Sequence, residues 1–472
     1  MDLHDPPAPR GAIVAVVLLT LFAALWRFPF LTGENLWFDE VFSVVLASQE
    51  LGELLRRTIA DQTNPPGFYL LLWAWTHAGG FSESWIRALP AIAGTLTVPA
   101  VVALGRTVRL PWGAAMLGGL LAAVSPLLVS MSLEARAYAP VALLCALSLT
   151  LATRLAASRV NGHPRGRLAL GVLDAALVML HYFGALAVLA RVAGALLVSR
   201  DFPGATGRAI RRDAVLSALP AALALVAWGV IVLAAATGER LGGNATWIPA
   251  PDVSAVLAFG SQVIGSWGGG WGALSLALLL AAAVALAWRT RHGPWLLAAA
   301  LLPMLLVLAV SLLSPRSLWV PRYLIVAVPA WLLLIGALPW AVPRPARTAA
   351  LATIAGWAIT TGLFGALGRQ PKPDWIRIIS PLAAGGPTTI CVNEAYVGLP
   401  VQYHALKTGA ALSVLDLAQC AQVKRPGWVL MRQGTDASLG GVRDAGARLG
   451  PVRALATELP PLVLQRLEWP AP

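Results

Sequence analysis

Apolar runs of roughly twenty residues recur along this chain, each long enough to cross a hydrocarbon core as a helix. They are Gly11–Phe28, Trp85–Leu104, Trp112–Ser130, Pro140–Ala157, Leu168–Leu180, Gly184–Val198, Ala214–Ala236, Ala273–Trp288, Trp295–Leu313, Arg322 to about Leu338, and Thr348–Leu367. The pattern predicts an all-α polytopic membrane protein with about eleven spans. The runs are unbroken, whereas barrel strands alternate, so a β-barrel is excluded. The first run is too long for a signal h-region and lacks a small-residue cleavage site, so it reads as a retained helix.

Two regions depart from this pattern. Between the first and second runs, Glu40–Gln49 and Leu51–Ala60 have the length and amphipathicity of helices lying in the interface plane. Pro65–Ala78 follows, with Phe68, Tyr69, Trp73 and Trp75, an interfacial aromatic mix. Beyond Gly368 the polarity becomes ordinary. Short β-like runs (Thr388–Val392, Gly427–Met431, Leu462–Gln465) alternate there with helical stretches such as Tyr396–Lys407, predicting a small α/β domain. The expected domains are therefore residues 1–367, in the membrane, and 368–472, outside it.

Composition agrees: 58% of the 472 residues are hydrophobic and 12% charged, against about 25% charged in soluble domains. The net charge of +13 does not point to nucleic acid, because no basic stripe is interleaved with aromatics. The arginines gather instead in alternate loops, as the positive-inside bias requires. That alternation places the first long loop, the loop ends at Glu134, His181, Trp247 and Arg322, and the tail on one face, the outer one. Cys145 lies within an apolar run and reads as inert. Cys391 and Cys420 lie in the tail and pair if it faces an oxidising compartment.

Ionisable groups at a membrane boundary are costly and are functional candidates by default. Asp39 and Glu40 stand just past the first span. As neighbours on a helix they point about 100° apart and suit different tasks, one as general base, the other as cation ligand or loop anchor. The plainer account is an acidic first turn offsetting a helix dipole. Asp61, ahead of Gln62, Thr63 and Asn64, is either a second functional carboxylate or a cap before Pro65. Arg136 lies between Glu134 and Tyr138. Its guanidinium suits phosphate, or else forms an ion pair with Glu134. Arg322 raises the same question, or snorkels to the interface. His181, beside Tyr182, is a base, a metal ligand or a structural ring in an aromatic patch. No zinc-protease, phosphate-loop or nucleophile-elbow spacing occurs, and no organic cofactor is expected.

Seven motifs in order resemble the GT-C superfamily of membrane glycosyltransferases. They are WFDE (Trp37–Glu40), NPPGFYLLL (Asn64–Leu72), SWIRALPAIAG (Ser84–Gly94), SPLLVSMSLEARAY (Ser125–Tyr138), HYF (His181–Phe183), WIPAP (Trp247–Pro251) and WVPRYLIVAVP (Trp319–Pro329). The nearest resemblance is to the bacterial family 39 branch, grouped with protein O-mannosyltransferases and Rgt-type lipopolysaccharide sugar transferases. It covers the chain from the first span to about Asp374 and implies a bacterial inner-membrane enzyme with its active site on the periplasmic side. The implied reaction moves a hexose or pentose from a polyprenyl phosphate to a hydroxyl of a glycan, lipid or protein acceptor. Asp39 would be the base, with Glu40 beside it. Arg136, Arg322 and Tyr323 would bind the donor phosphate. Asp61, Asn64, Glu134, Tyr138, His181, Tyr182 and Trp247 would line the site. A divalent cation, magnesium or manganese, is the one cofactor this leaves room for, with Glu40, Asp61 and His181 as candidate ligands. Many relatives carry His where this chain has Asn64, which counts against a metal there.

Two other classes compete. A flippase for lipid-linked glycans predicts inverted repeats and polar groups near the midplane, whereas the polar groups here gather at one face. A membrane scaffold would bind partners through the tail alone.

Overall fold

The computed structural model describes residues 10–157, 164–202, 204–235, 248–265, 269–288, 293–367, 372–384, 386–432, 439–454 and 462–470. The polypeptide forms two compact units: Met1–Phe30 with Leu46–Gly368, and Leu31–Val45 with Arg369–Pro472. The acidic first-loop stretch thus belongs with the tail rather than with the helices that flank it in sequence.

The first unit is helical, and the chain is a multi-pass membrane protein. Six helical stretches among the described residues are long and apolar enough to span: Ala12–Phe30, Glu83–Thr107, Tyr138–Ala157, Ala205–Ala235, Gly293–Leu313 and Pro321–Trp340. A seventh, counted as one span, is Trp112–Val124 with Pro126–Ser132, bent by 53°. The expected total of about eleven also takes in Pro164–Leu180, Gly184–Val198, Gly269–Trp288 and Arg344–Leu367, which do not meet the same length and apolarity on their described residues.

The bend interrupts what hydropathy reads as one run from Trp112 to Ser130. Proline disfavours helical backbone at the residue before it, and Ser125, with ψ 121°, leaves the helix ahead of Pro126. Breaking a helix orphans its last carbonyls. Arg27, fully buried, satisfies two of them: Nη1 donates to Ala123 O at 3.0 Å and Nη2 to Ala122 O at 3.3 Å. Its Nε reaches Ser132 Oγ at 3.1 Å on the far side of the bend. A hydrophobic count passes over Arg27 as the flank of the first span.

The helix Ala205–Ala235 starts earlier than hydropathy suggests and includes Arg208, Arg211 and Arg212. Arginine is a good helix former, so a basic stretch need not be a loop. Asp174 and Arg191, each set among apolar residues of its helix, pair at 2.8 Å with almost no exposure. This is the usual arrangement for intramembrane charges.

In the second unit, β1 (Thr388–Val392), β2 (Leu412–Asp416), β3 (Gly427–Arg432), β4 (Arg448–Leu449), β5 (Arg453–Ala454) and β6 (Leu462–Glu468) form one sheet. Its order is β2-β1-β3-β6-β4, with β5 also on β6. β1 runs parallel to β2 and β3, while β6 is antiparallel to β3. Strand side chains alternate faces. Ile390, Val392 and Leu430 therefore pack with Trp375, Ile379, Val397 and Val401 on one face. Cys391, Val429 and Met431 pack with Cys420, Leu439 and Val442 on the other. Burial on both faces is what a parallel central strand requires. Cys391 and Cys420 form a disulfide that ties β1 to the helix Leu417–Val423.

Candidate active site

The first-loop carboxylates lie in the second unit. They occupy the first turn of the helix Phe38–Ala47, so the dipole argument and the functional one both apply. Asp39 is half-buried and Glu40 fully buried. Glu40 Oε2 sits 2.8 Å from Lys372 Nζ, which is 12% exposed, and accepts a longer bond from Trp37 N at 3.4 Å. The Lys372 ammonium also faces the Trp37 ring, 6.0 Å from its centroid. Upstream, Asn35 Nδ2 donates to Asp374 Oδ1 at 2.9 Å, and buried His404 Nε2 meets Leu36 O at 2.9 Å. Asp374 in turn caps the helix Trp375–Ala383 by accepting from Arg377 N.

The remaining described candidates lie in the helical unit, where a glycine helps assemble them. A Cβ on Gly67 would stand 2.4 Å from Met179 O and 3.0 Å from Leu180 N. Only glycine lets the helix Gly67–Gly79 touch the end of Pro164–Leu180 so closely, just where His181 begins. Three residues upstream of Gly67, buried Asn64 donates to the Tyr69 hydroxyl at 3.5 Å. Arg136 Nη1 reaches the same oxygen at 3.4 Å. Arg136 is 8% exposed and sits in a tight turn, its N–H bonded to Glu134 O at 2.7 Å.

Around them four rings pack together. The His181 ring lies 5.5 Å from Tyr138, 5.5 Å from Phe183 and 5.4 Å from Tyr323, and Phe183 lies 4.9 Å from Tyr323. The Arg322 guanidinium is 5.7 Å from the Tyr323 centroid. His181 Nδ1 accepts from Phe183 N at 3.2 Å, which assigns its proton to Nε2. Burial pushes the imidazole down to about 3, with the Arg136 and Arg322 charges acting in the same sense. His181 is therefore a neutral ring between two guanidiniums.

Tyr182 turns elsewhere. Its hydroxyl donates to Gln62 O at 3.4 Å and accepts from Trp228 Nε1 at 2.9 Å. Asp61 ends the helix Leu51–Asp61 and accepts from Thr63 N at 3.2 Å, the local turn its spacing allowed. Burial raises its carboxyl above the usual range, against those bonds and the Arg136 charge. Trp247 lies outside the described residues.

The candidate metal ligands fit a cation poorly. Among the described residues no three His, Cys, Asp or Glu side chains converge. Glu40 already holds an ammonium, and His181 faces two guanidinium charges. Sequence reasoning also passed over Lys372, His404 and the Tyr69 hydroxyl. The first two carry no local signal, being more than three hundred residues from their partners.

No protein-family model matches the sequence, and no curated protein matches it significantly. Solved structures do resemble it. ArnT from Cupriavidus metallidurans, bound to undecaprenyl phosphate, matches with a TM-score of 0.58 at 14% identity over 97% of this chain and 98% of that one. The oligosaccharyltransferase AglB from Archaeoglobus fulgidus, in complex with an inhibitory peptide and a dolichol-phosphate, matches with a TM-score of 0.55 at 15% identity over 89% and 69%. The same archaeal enzyme in complex with Zn and sulfate gives 0.53 at 13% over 93% and 71%. At these identities the likeness shows a shared fold, as the sequence motifs led one to expect.

Proposed function

We propose that this protein is an integral-membrane, inverting glycosyltransferase. It moves a monosaccharide from a polyprenyl phosphate to a hydroxyl of a cell-envelope glycan, lipid or protein, at the outer face of a bacterial inner membrane. The observation that carries the reading is the buried Arg136 guanidinium, bonded to Tyr69 and set with Arg322 beside neutral rings. Two fixed cations in a half-apolar setting suit a phosphate attached to a lipid. The likeness to ArnT with undecaprenyl phosphate supports it, as does the cysteine pair, which suits an oxidising compartment.

A polyprenyl donor stays in the bilayer, so the enzyme works at the bilayer surface. The acceptor oxygen attacks the anomeric carbon, and the bond from that carbon to the phosphate oxygen breaks. Its electron pair leaves with the phosphate. Arg136 and Arg322 stabilise the charge gathering there. Asp39 takes the acceptor proton as attack begins. A single displacement inverts the anomeric centre.

Incubating the purified protein with a labelled polyprenyl-phosphate sugar and candidate acceptors tests this. The transferase consumes the donor, a flippase in vesicles only moves it, and a scaffold does neither. Asp39→Asn keeps size and polarity but cannot take the proton, so transfer should fall by about 10²–10⁴ with the protein still folded. Full activity in Asp39→Asn would return Asp39 to an acidic helix start.

A further inference from the structure

The stretch Asn35–Glu40 is short, and three of its contacts come from far along the chain. Asp374 holds Asn35, His404 holds the Leu36 carbonyl, and Lys372 holds Glu40 while facing the Trp37 ring. The sequence separations are 339, 368 and 332 residues. Glu40 has no exposure. A buried carboxylate without a counter-charge is strongly disfavoured. The ammonium at 2.8 Å supplies that charge, and the indole face of Trp37 favours a cation in the same place. Without Lys372, Glu40 would lose this ammonium while buried next to Asp39 in the first helical turn.

We infer that Lys372 is a positioning residue for the Asp39–Glu40 pair, and that its ammonium is the resident cation at Glu40 in place of a divalent metal. The inference rests on the glycosyl-transfer reading for its consequence in rate. Lys372 fixes Glu40, Glu40 fixes the helix start, and the helix start aims Asp39. Misplacing a catalytic group by about 1 Å costs on the order of 10²-fold. The loss falls on turnover rather than donor affinity, because the residues assigned to the donor phosphate are others.

The test uses the full chain in detergent, with Lys372→Met, Lys372→Arg, Glu40→Gln and the double variant Lys372→Met/Glu40→Gln. Lys372→Met should lower kcat by about 10²-fold and leave the donor KM within about threefold. Lys372→Arg, keeping the charge, should recover most of that loss. In thermal unfolding the double variant should melt above Lys372→Met, because it no longer buries a carboxylate that has lost its ammonium. Wild-type turnover should be unchanged by EDTA. Wild-type kcat in Lys372→Met overturns the inference. So do additive losses in the unfolding cycle, or wild-type turnover abolished by EDTA and restored by magnesium or manganese. If the wild type moves no sugar, it is the glycosyl-transfer reading that fails. The unfolding cycle still decides whether Lys372 and Glu40 act as a pair.

Discussion

The Tyr69 hydroxyl stands 3.4 Å from Arg136 Nη1 and 3.5 Å from Asn64 Nδ2, so one phenol links the Asn-Pro-Pro-Gly turn to the buried arginine. Both contacts are long for hydrogen bonds. Arg136→Ala should raise the apparent KM for the lipid-linked donor by about tenfold or more, and Arg136→Lys by less, since lysine keeps the charge but loses the fork. Initial rates against donor concentration check this. An unchanged KM in the alanine variant would leave Arg136 with a structural task only.

Gly67→Ala should destabilise the helical unit. The new methyl would collide with the Met179 carbonyl at 2.4 Å, and that atom is backbone with no rotamer to change. Overpacking of this kind costs about 1–3 kcal/mol. The variant should melt at a lower temperature, and its donor KM should rise because His181 follows directly on Met179 and Leu180. Gly52→Ala, which meets nothing within 4 Å, is the control.

The His181 imidazole is pushed down to about 3 by burial and by the Arg136 and Arg322 charges. Its folded-state pKa lies below the unfolded value near 6.5, so the unfolded chain binds more protons between those limits. This contribution to stability is fully present above about pH 6.5 and is lost as pH falls toward 3, by up to about 1.4 kcal/mol per pH unit. His181→Phe should flatten that slope when melting temperature is followed from pH 7 to 4. Activity should show no limb from His181 titrating between pH 5 and 8.

Much of the architecture can be read from hydropathy, because lipid leaves the backbone few options. The interfacial helices and β1 fall close to where their residue patterns put them. What stays hidden has particular causes. β2 alternates Ser413 and other part-exposed positions at an edge, a weak pattern. The break at Ser125 is announced by Pro126, but an apolar average runs straight through it. In the site, Arg136, Tyr138, His181 and Tyr323 come together in the helical unit, as their shared place at span ends suggests. Tyr182 turns away to Gln62 and Trp228 because its neighbour in the ring cluster is Phe183. Lys372 could not be read at all, since the carboxylate it pairs with lies 332 positions earlier.

The disulfide between Cys391 and Cys420 should hold the tail together thermodynamically. Closing a loop of 29 residues stabilises by about 3–4 kcal/mol on chain-entropy grounds. Denatured, unreduced protein should offer only Cys145 to a thiol reagent, and reductant should expose all three. Replacing both with alanine should lower the melting temperature of the tail more than that of the helices. Labelling of Cys391 and Cys420 without reductant would remove the bond, and with it the support for an oxidising compartment.

The division that places Leu31–Val45 with the last hundred residues also orders events during synthesis. The segment bearing Asp39 leaves the ribosome more than three hundred residues before Lys372 and His404. At roughly 5–20 residues per second, it waits some tens of seconds without the partners that shape it, while the membrane helices are inserted behind it. A chain interrupted near Gly368 would carry the described membrane helices and still lack Lys372, Asp374 and His404. On the glycosyl-transfer reading, competence is thus acquired last, when the C-terminal sheet closes and brings Lys372 and His404 to the first-loop stretch.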